Sequence, residues 1–188
     1  MLPRALDAVL LPARRAVGRG HPQDDQMSLR VAVLQHEGET GLGAFAGALS
    51  DGGVECEILE TTTGGVPLPD AALFDGVLAL GGSRGAYDVT LHETRRWIRD
   101  AVLREVPFFG ICLGGQLLAT ALGGSVETGP RPEVGLHDIF LTEAAAHDPL
   151  FVGLPPRLQV FGWHEDGFSL PRGAVPLAGS TRWMRPPM

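Results

Sequence analysis

Apolar and polar positions fall into two alternating periods along most of the chain. Residues 30–34 form a short, nearly continuous apolar run of the kind carried by a strand buried on both faces, and a polar turn over residues 35–40 follows it. Leu42, Phe45, Ala46 and Leu49 then recur at helical spacing, and Gly52-Gly53 stops that helix. Val54, Cys56 and Ile58 interleave with Glu55 and Glu57, which predicts a strand with one wetter face, near a sheet edge. Residues 76–80 predict a third strand running into the loop 81–85, and a helix is predicted from about Leu91 to Val106, with Leu91, Ile98, Ala101, Val102 and Val106 facing inward. Residues 107–111 predict a fourth strand. It runs straight into Cys112 and a helix through Gln116, Leu117, Leu118 and Leu122 that Gly123-Gly124 ends.

Strands alternating with helices at these intervals predict an α/β fold, a three-layer, doubly wound and mostly parallel sheet of the flavodoxin-like kind. Working groups in such folds collect beyond the carboxyl ends of the strands, here residues 35–38, 81–85 and Cys112. After Ser125 two further short strands are read at 135–141 and 158–161, and prolines 149, 155, 156, 171 and 176 mark turns. Residues 1–26 carry four arginines against three aspartates, whereas the rest of the chain has a balance of −8, so they are read as a disordered extension ahead of one domain, 27–188.

Composition narrows the chemistry. The 188 residues carry a net charge of −7, so no broad positive surface is available for nucleic acid, and no apolar run is long enough to span a membrane. All 15 basic residues are arginine, which removes Schiff-base and P-loop mechanisms that need lysine. Cys56 and Cys112 lack the paired spacing of a zinc or redox site, so no metal or cofactor is expected and a reducing, cytoplasmic compartment fits.

The segment Gly110-Ile111-Cys112-Leu113-Gly114 sits between a predicted strand and a predicted helix. A nucleophile on such a sharp turn is lifted clear of the sheet, and the glycines two before and two after leave room for the bend. The helix N-terminus favours a thiolate there, and its spare N–H groups, notably that of Leu113, are placed to receive an oxyanion. Gly81-Gly82-Ser83 ends the neighbouring strand and faces the same carbonyl on this reading. Cys56 is read as a packing residue.

These residues resemble the class I glutamine amidotransferases, specifically the subgroup of GMP synthase-like domains. The segment from Gly110 to Gln116 is similar to the nucleophile segment of that family, and Leu80-Gly-Gly-Ser83 is similar to its oxyanion loop, with serine in place of the usual proline. His147-Asp-Pro-Leu-Phe-Val-Gly-Leu-Pro155 and Gly162-Trp-His-Glu-Asp-Gly-Phe168 extend the likeness over most of residues 27–180. The resemblance implies that Cys112 attacks the side-chain amide of glutamine, that Gln116 helps hold the substrate, and that the N–H groups of Gly82 and Leu113 form the oxyanion hole. It also implies ammonia transfer to a synthetase or acceptor protein, with an oligomer conceivable.

The family's histidine and glutamate lie in a Phe-His-Pro-Glu-like segment that has no counterpart here, so the chain, which closes on residues 181–188, reads as cut short. His164 as base and Asp166 as its orienting acid are the substitutes weighed, although their neighbours align them with a different segment of the subgroup. His36 is read as a solvated loop residue, His92 as flanking a helix, and His137 and His147 as surface positions. Arg95, Arg96, Arg99 and Arg104 are read as a solvated helix face. Two other functions stay open: a binding or regulatory module of the same fold without the triad, and another cysteine-centred α/β hydrolase of the peptidase and deglycase kind, in which a histidine is expected where Leu113 stands.

Overall fold

The computed structural model describes residues 28–61 and 67–180. The extension assigned to 1–26 and the closing stretch 181–188 lie outside the described residues. The chain divides into two compact units, with the boundary after Ala121.

The first unit is a four-stranded sheet with helices. Its strands are β1 (Leu29–Gln35), β2 (Val54–Glu60), β3 (Gly76–Ala79) and β4 (Phe108–Gly110), and its helices α1 (Ala44–Asp51), α2 (His92–Leu103) and α3 (Leu113–Ala121). The order across the sheet is β2-β1-β3-β4, with every neighbouring pair parallel, as expected of strands joined through helical crossovers. Leu34 lies opposite Ala79, and Ala79 lies opposite Gly110. The carboxyl ends of β1, β3 and β4 therefore finish level, and whatever follows Gln35, Ala79 and Gly110 collects along one edge.

Burial follows the sequence pattern. Ala32, Val33 and Leu34 in β1 and Val77, Leu78 and Ala79 in β3 are buried, as are Leu91, Ile98, Ala101, Leu113 and Leu117 on the helical elements. Each of the valine, leucine and isoleucine side chains among them stabilises the fold by about 1.5 to 3 kcal/mol relative to exposure. On the edge strand β2 accessibility alternates as far as Glu57 and then slips by one residue, so that Ile58 is exposed and Leu59 buried, and half-buried Cys56 packs against the cluster of Val33, Leu78 and Leu80. Helix α2 stops three residues before the predicted Val106. Glu105 adopts a left-handed conformation (φ 60°), Val106 N–H donates to the Ala101 carbonyl (3.0 Å) and Glu105 N–H donates to that of Val102 (3.0 Å), a Schellman closure.

The arginines of α2 do more than face water. Arg95 donates to the carbonyls of Ala86 (2.6 Å) and Asp88 (3.2 Å), and Arg99 donates to that of Ala121 (3.0 Å). Trp97, half-buried on the same helix, donates its indole N–H to the Pro69 carbonyl at 2.6 Å.

The second unit is an antiparallel sheet of order β6-β5-β7, from β5 (Val126–Leu141), β6 (Arg157–Phe168) and β7 (Ala178–Ser180). The two long strands replace the two short ones expected. Strand β5 begins well before residue 135 and runs through Pro130 and Pro132 with a register shift between Thr128 and Glu133, and Gly135 holds φ at 118°. Val134 pairs with Trp163 and Leu136 with Phe161, and all four side chains are exposed.

Candidate active site

The sharpest local geometry lies where β4 meets α3. Ile111 N–H still donates to the Ala79 carbonyl (2.9 Å), as a continuation of the β3–β4 ladder, and the chain reverses at the next residue. Cys112 holds φ at 49°, a left-handed conformation that costs a residue with a Cβ about 1–2 kcal/mol. Helix α3 starts at Leu113, and Gln116 N–H donates to the Cys112 carbonyl at 3.0 Å.

Both flanking glycines are sterically required. A Cβ at Gly110 would stand 2.6 Å from the Gly114 carbonyl carbon, and one at Gly114 would overlap the Ala79 carbonyl. The bend is thus as tight as the backbone allows, and Cys112 is left exposed above it. Gly114 N–H turns back into the sheet, to the Leu80 carbonyl at 3.1 Å and that of Ile111 at 2.9 Å. Leu113 opens the helix, where an N–H has no acceptor within the helix, so its amide is the one suited to an incoming oxyanion.

The loop after β3 leans on this elbow. A Cβ at Gly81 would touch the Cys112 Cβ at 3.6 Å, and one at Gly82 would press on the Leu113 side chain at 3.0 Å and on Glu37 Oε1 at 3.3 Å. Ser83 donates to Glu37 Oε1 from both its N–H (2.5 Å) and its hydroxyl (2.7 Å). These bonds, the hydroxyl's first, hold the Glu37 carboxyl below its usual pKa, with the Arg84 amide and guanidinium acting in the same direction. Gln116, one turn beyond Cys112 on α3, is buried.

His36 corrects the expectation of a solvated residue: it has no exposed surface. Its Nδ1 lies 2.8 Å from Thr61 Oγ1, and that hydroxyl donates to the Gln35 carbonyl (3.3 Å), so Nδ1 carries the proton and Nε2 presents a bare lone pair. Burial pulls its pKa from 6.5 down to about 4, against the opposing pull of Glu37.

The elbow, the leaning glycine loop and the strand order have a counterpart among known proteins. The family model of class-I glutamine amidotransferases matches residues 44–182. The chain belongs to the class I glutamine amidotransferases. Among curated relatives of this family member, the glutamine amidotransferase-like protein YfeJ of Salmonella typhimurium is 31% identical over 159 residues, covering 81% of the present chain and 66% of that protein. Imidazole glycerol phosphate synthase subunit HisH of a Synechococcus species is 33% identical over 159 residues, covering 73% and 68%. The crystal structure of a glutamine amidotransferase from Thermotoga maritima superimposes with a TM-score of 0.74 at 32% identity, covering 81% of this amidotransferase and 67% of its own chain. The chain thus spans just under two thirds of the Salmonella relative.

Of the residues singled out in the sequence, Cys112, Leu113, Gln116 and Gly82 are brought together in the first unit of the amidotransferase. His164 and Asp166 belong to β6 of the second unit. There His164 Nδ1 stands 3.2 Å from the Asp166 backbone carbonyl, and its Nε2 stands 3.2 Å from Glu133 Oε2. Sequence reading missed two carboxylates. Glu133 lies directly across the ladder from His164, a pairing visible only once the register is known. Glu37 is 46 positions from the serine that it holds. His137 is half-buried rather than superficial, against Gly162, whose added Cβ would stand 3.0 Å from the imidazole. Among the described residues, no cluster of histidine, cysteine and carboxylate side chains is arranged to hold a metal ion, and no helix is long and apolar enough to cross a membrane.

Proposed function

We propose that this chain carries the glutamine-hydrolysing site of an amidotransferase, with Cys112 as nucleophile. The observation that carries the reading is the elbow itself: a cysteine at φ 49° between glycines that tolerate no side chain, with a second glycine loop so near that a Cβ added to Gly81 would touch that of Cys112. The Cys112 thiolate, favoured by the helix N-terminus, attacks the amide carbon of the glutamine side chain. The tetrahedral oxyanion is met by the amides of Leu113 and Gly82, and Gln116 helps to define the glutamine pocket. Ammonia departs with a proton supplied by a general acid. Water then cleaves the thioester, which returns the thiol and releases glutamate. His164 is the described histidine offered for the proton transfers, with Asp166 and the newly found Glu133 around it.

The ammonia goes to a synthetase or acceptor protein. The relative named as a synthase subunit supports such a partnership, and the acceptor is a separate chain or a further domain.

A second reading rests on His164. Its two ring nitrogens face Glu133 and the Asp166 carbonyl, which suits a structural clasp within the β5–β6 ladder as well as a base. On that reading the chain binds glutamine without turning it over.

Glutamate release with glutamine as sole substrate separates the two. Turnover that disappears in Cys112→Ala, and falls by about 10²-fold or more in His164→Ala, supports hydrolysis with His164 as the proton carrier. Saturable glutamine binding with no glutamate formed by the parent chain supports the binding module. Turnover unaffected by Cys112→Ala overturns the reading.

A further inference from the structure

We propose that Glu37 is a positioning residue for the oxyanion loop: its carboxylate clamps Ser83, so that the Gly81-Gly82 backbone stays seated against Cys112. The inference rests on the glutaminase reading above and adds to it a residue from a different strand.

Three contacts carry it. Ser83 reaches one and the same carboxylate oxygen with two donors, its N–H at 2.5 Å and its hydroxyl at 2.7 Å. Gly82 is caught between Glu37 and the first residue of α3, since a Cβ there would meet Leu113 Cδ2 at 3.0 Å and Glu37 Oε1 at 3.3 Å. Gly81 lies beside the nucleophile, since a Cβ added there would stand 3.6 Å from the Cys112 Cβ. Glu37 thus closes a short chain of contacts from the end of β1, through the loop after β3, to the elbow after β4.

The chemistry of the clamp suits its task. Glycine has the least conformational restriction of any residue, so a Gly-Gly loop left to itself samples many orientations of its amides. An oxyanion hole works only when its donors are fixed before charge develops. A carboxylate accepting two hydrogen bonds is a stronger tether than a neutral acceptor, and the bonds it accepts lower its pKa further below the ordinary carboxylate value. Its own backbone is anchored next door, where His36 is buried against Thr61.

The test compares two reagents on the full chain, with modification of Cys112 read by mass spectrometry. A chloromethyl ketone analogue of glutamine needs its carbonyl oxygen held by the loop, whereas iodoacetamide needs only an accessible thiolate. In Glu37→Ala the chloroketone rate is expected to fall about tenfold, short of the 10² to 10³ seen when an oxyanion donor is removed outright, with the iodoacetamide rate within about twofold of the parent. Glu37→Gln, which keeps a neutral acceptor, recovers part of the loss, and Ser83→Ala, which keeps the N–H bond, loses less than Glu37→Ala. A purely structural tether would lower both rates together. A parent chain that prefers the chloroketone, with Glu37→Ala retaining the parental ratio of the two rates, overturns the clamp and leaves the glutaminase reading standing. A parent chain with no such preference and no protection by glutamine overturns the glutaminase reading itself. If Glu37→Ala fails to fold, Glu37→Gln and Ser83→Ala decide, and parental ratios in both overturn the proposal.

Discussion

Between the end of β1 and Thr61, His36 is kept neutral by its own burial, and this sets a pH dependence. Its pKa in the fold is about 4 against an ordinary value of 6.5, so between those limits the unfolded chain takes up a proton that the folded chain refuses. Stability is therefore full above about pH 6.5 and declines as pH falls toward 4, by about 3 kcal/mol over the window. Urea unfolding of the parent at pH 7.5 and pH 5 is expected to show the loss, and His36→Gln to show a smaller difference between the two. Equal pH sensitivity in both chains would assign it to other groups. None of this is legible in sequence. A histidine after a strand looks solvated until Thr61, 25 positions on, is known to cover it. Cys112, in contrast, is legible because the residues that make its geometry, Gly110 and Gly114, are its near neighbours, whereas Glu37 and Glu133 act on partners that only the fold brings near.

The strand-to-helix junction is the element under tension. Left-handed backbone at Cys112 is unfavourable for any residue with a Cβ, so the site trades stability for exposure of the sulfur. Cys112→Gly removes that penalty and Cys112→Ala does not. The glycine variant is expected to be more stable than the alanine variant by about 1 kcal/mol in denaturant unfolding, although an ordinary loop position shows the opposite order. A less stable glycine variant would refute the tension. The elements of the first unit follow from periodicity: apolar runs became β1 and β3, and the alternating segment became the edge strand β2. That strand β5 extends beyond the expected 135–141 is not legible, because proline normally interrupts a strand, and the bulge-like register shift that accommodates Pro130 and Pro132 has no signature in a single sequence.

Over the whole molecule the buried apolar residues are divided unevenly. Of those described, Ala145 and Pro171 lie in the second unit, and all the others lie in the first. Local stability follows burial, so native-state hydrogen exchange is expected to be slowest for amides of β1 and β3 and distinctly faster along β5 and β6. Uniform protection across both sheets would refute this. The pairing of Trp97 with the Pro69 carbonyl has a practical corollary. Its half-enclosed indole lies in the first unit and the exposed indole of Trp163 in the second. With Trp183 replaced by phenylalanine, ultraviolet emission comes in two colours, a bluer band from the sheltered ring and a redder, readily quenched band from the wet one. Melting of each half can then be watched separately, without attaching a dye.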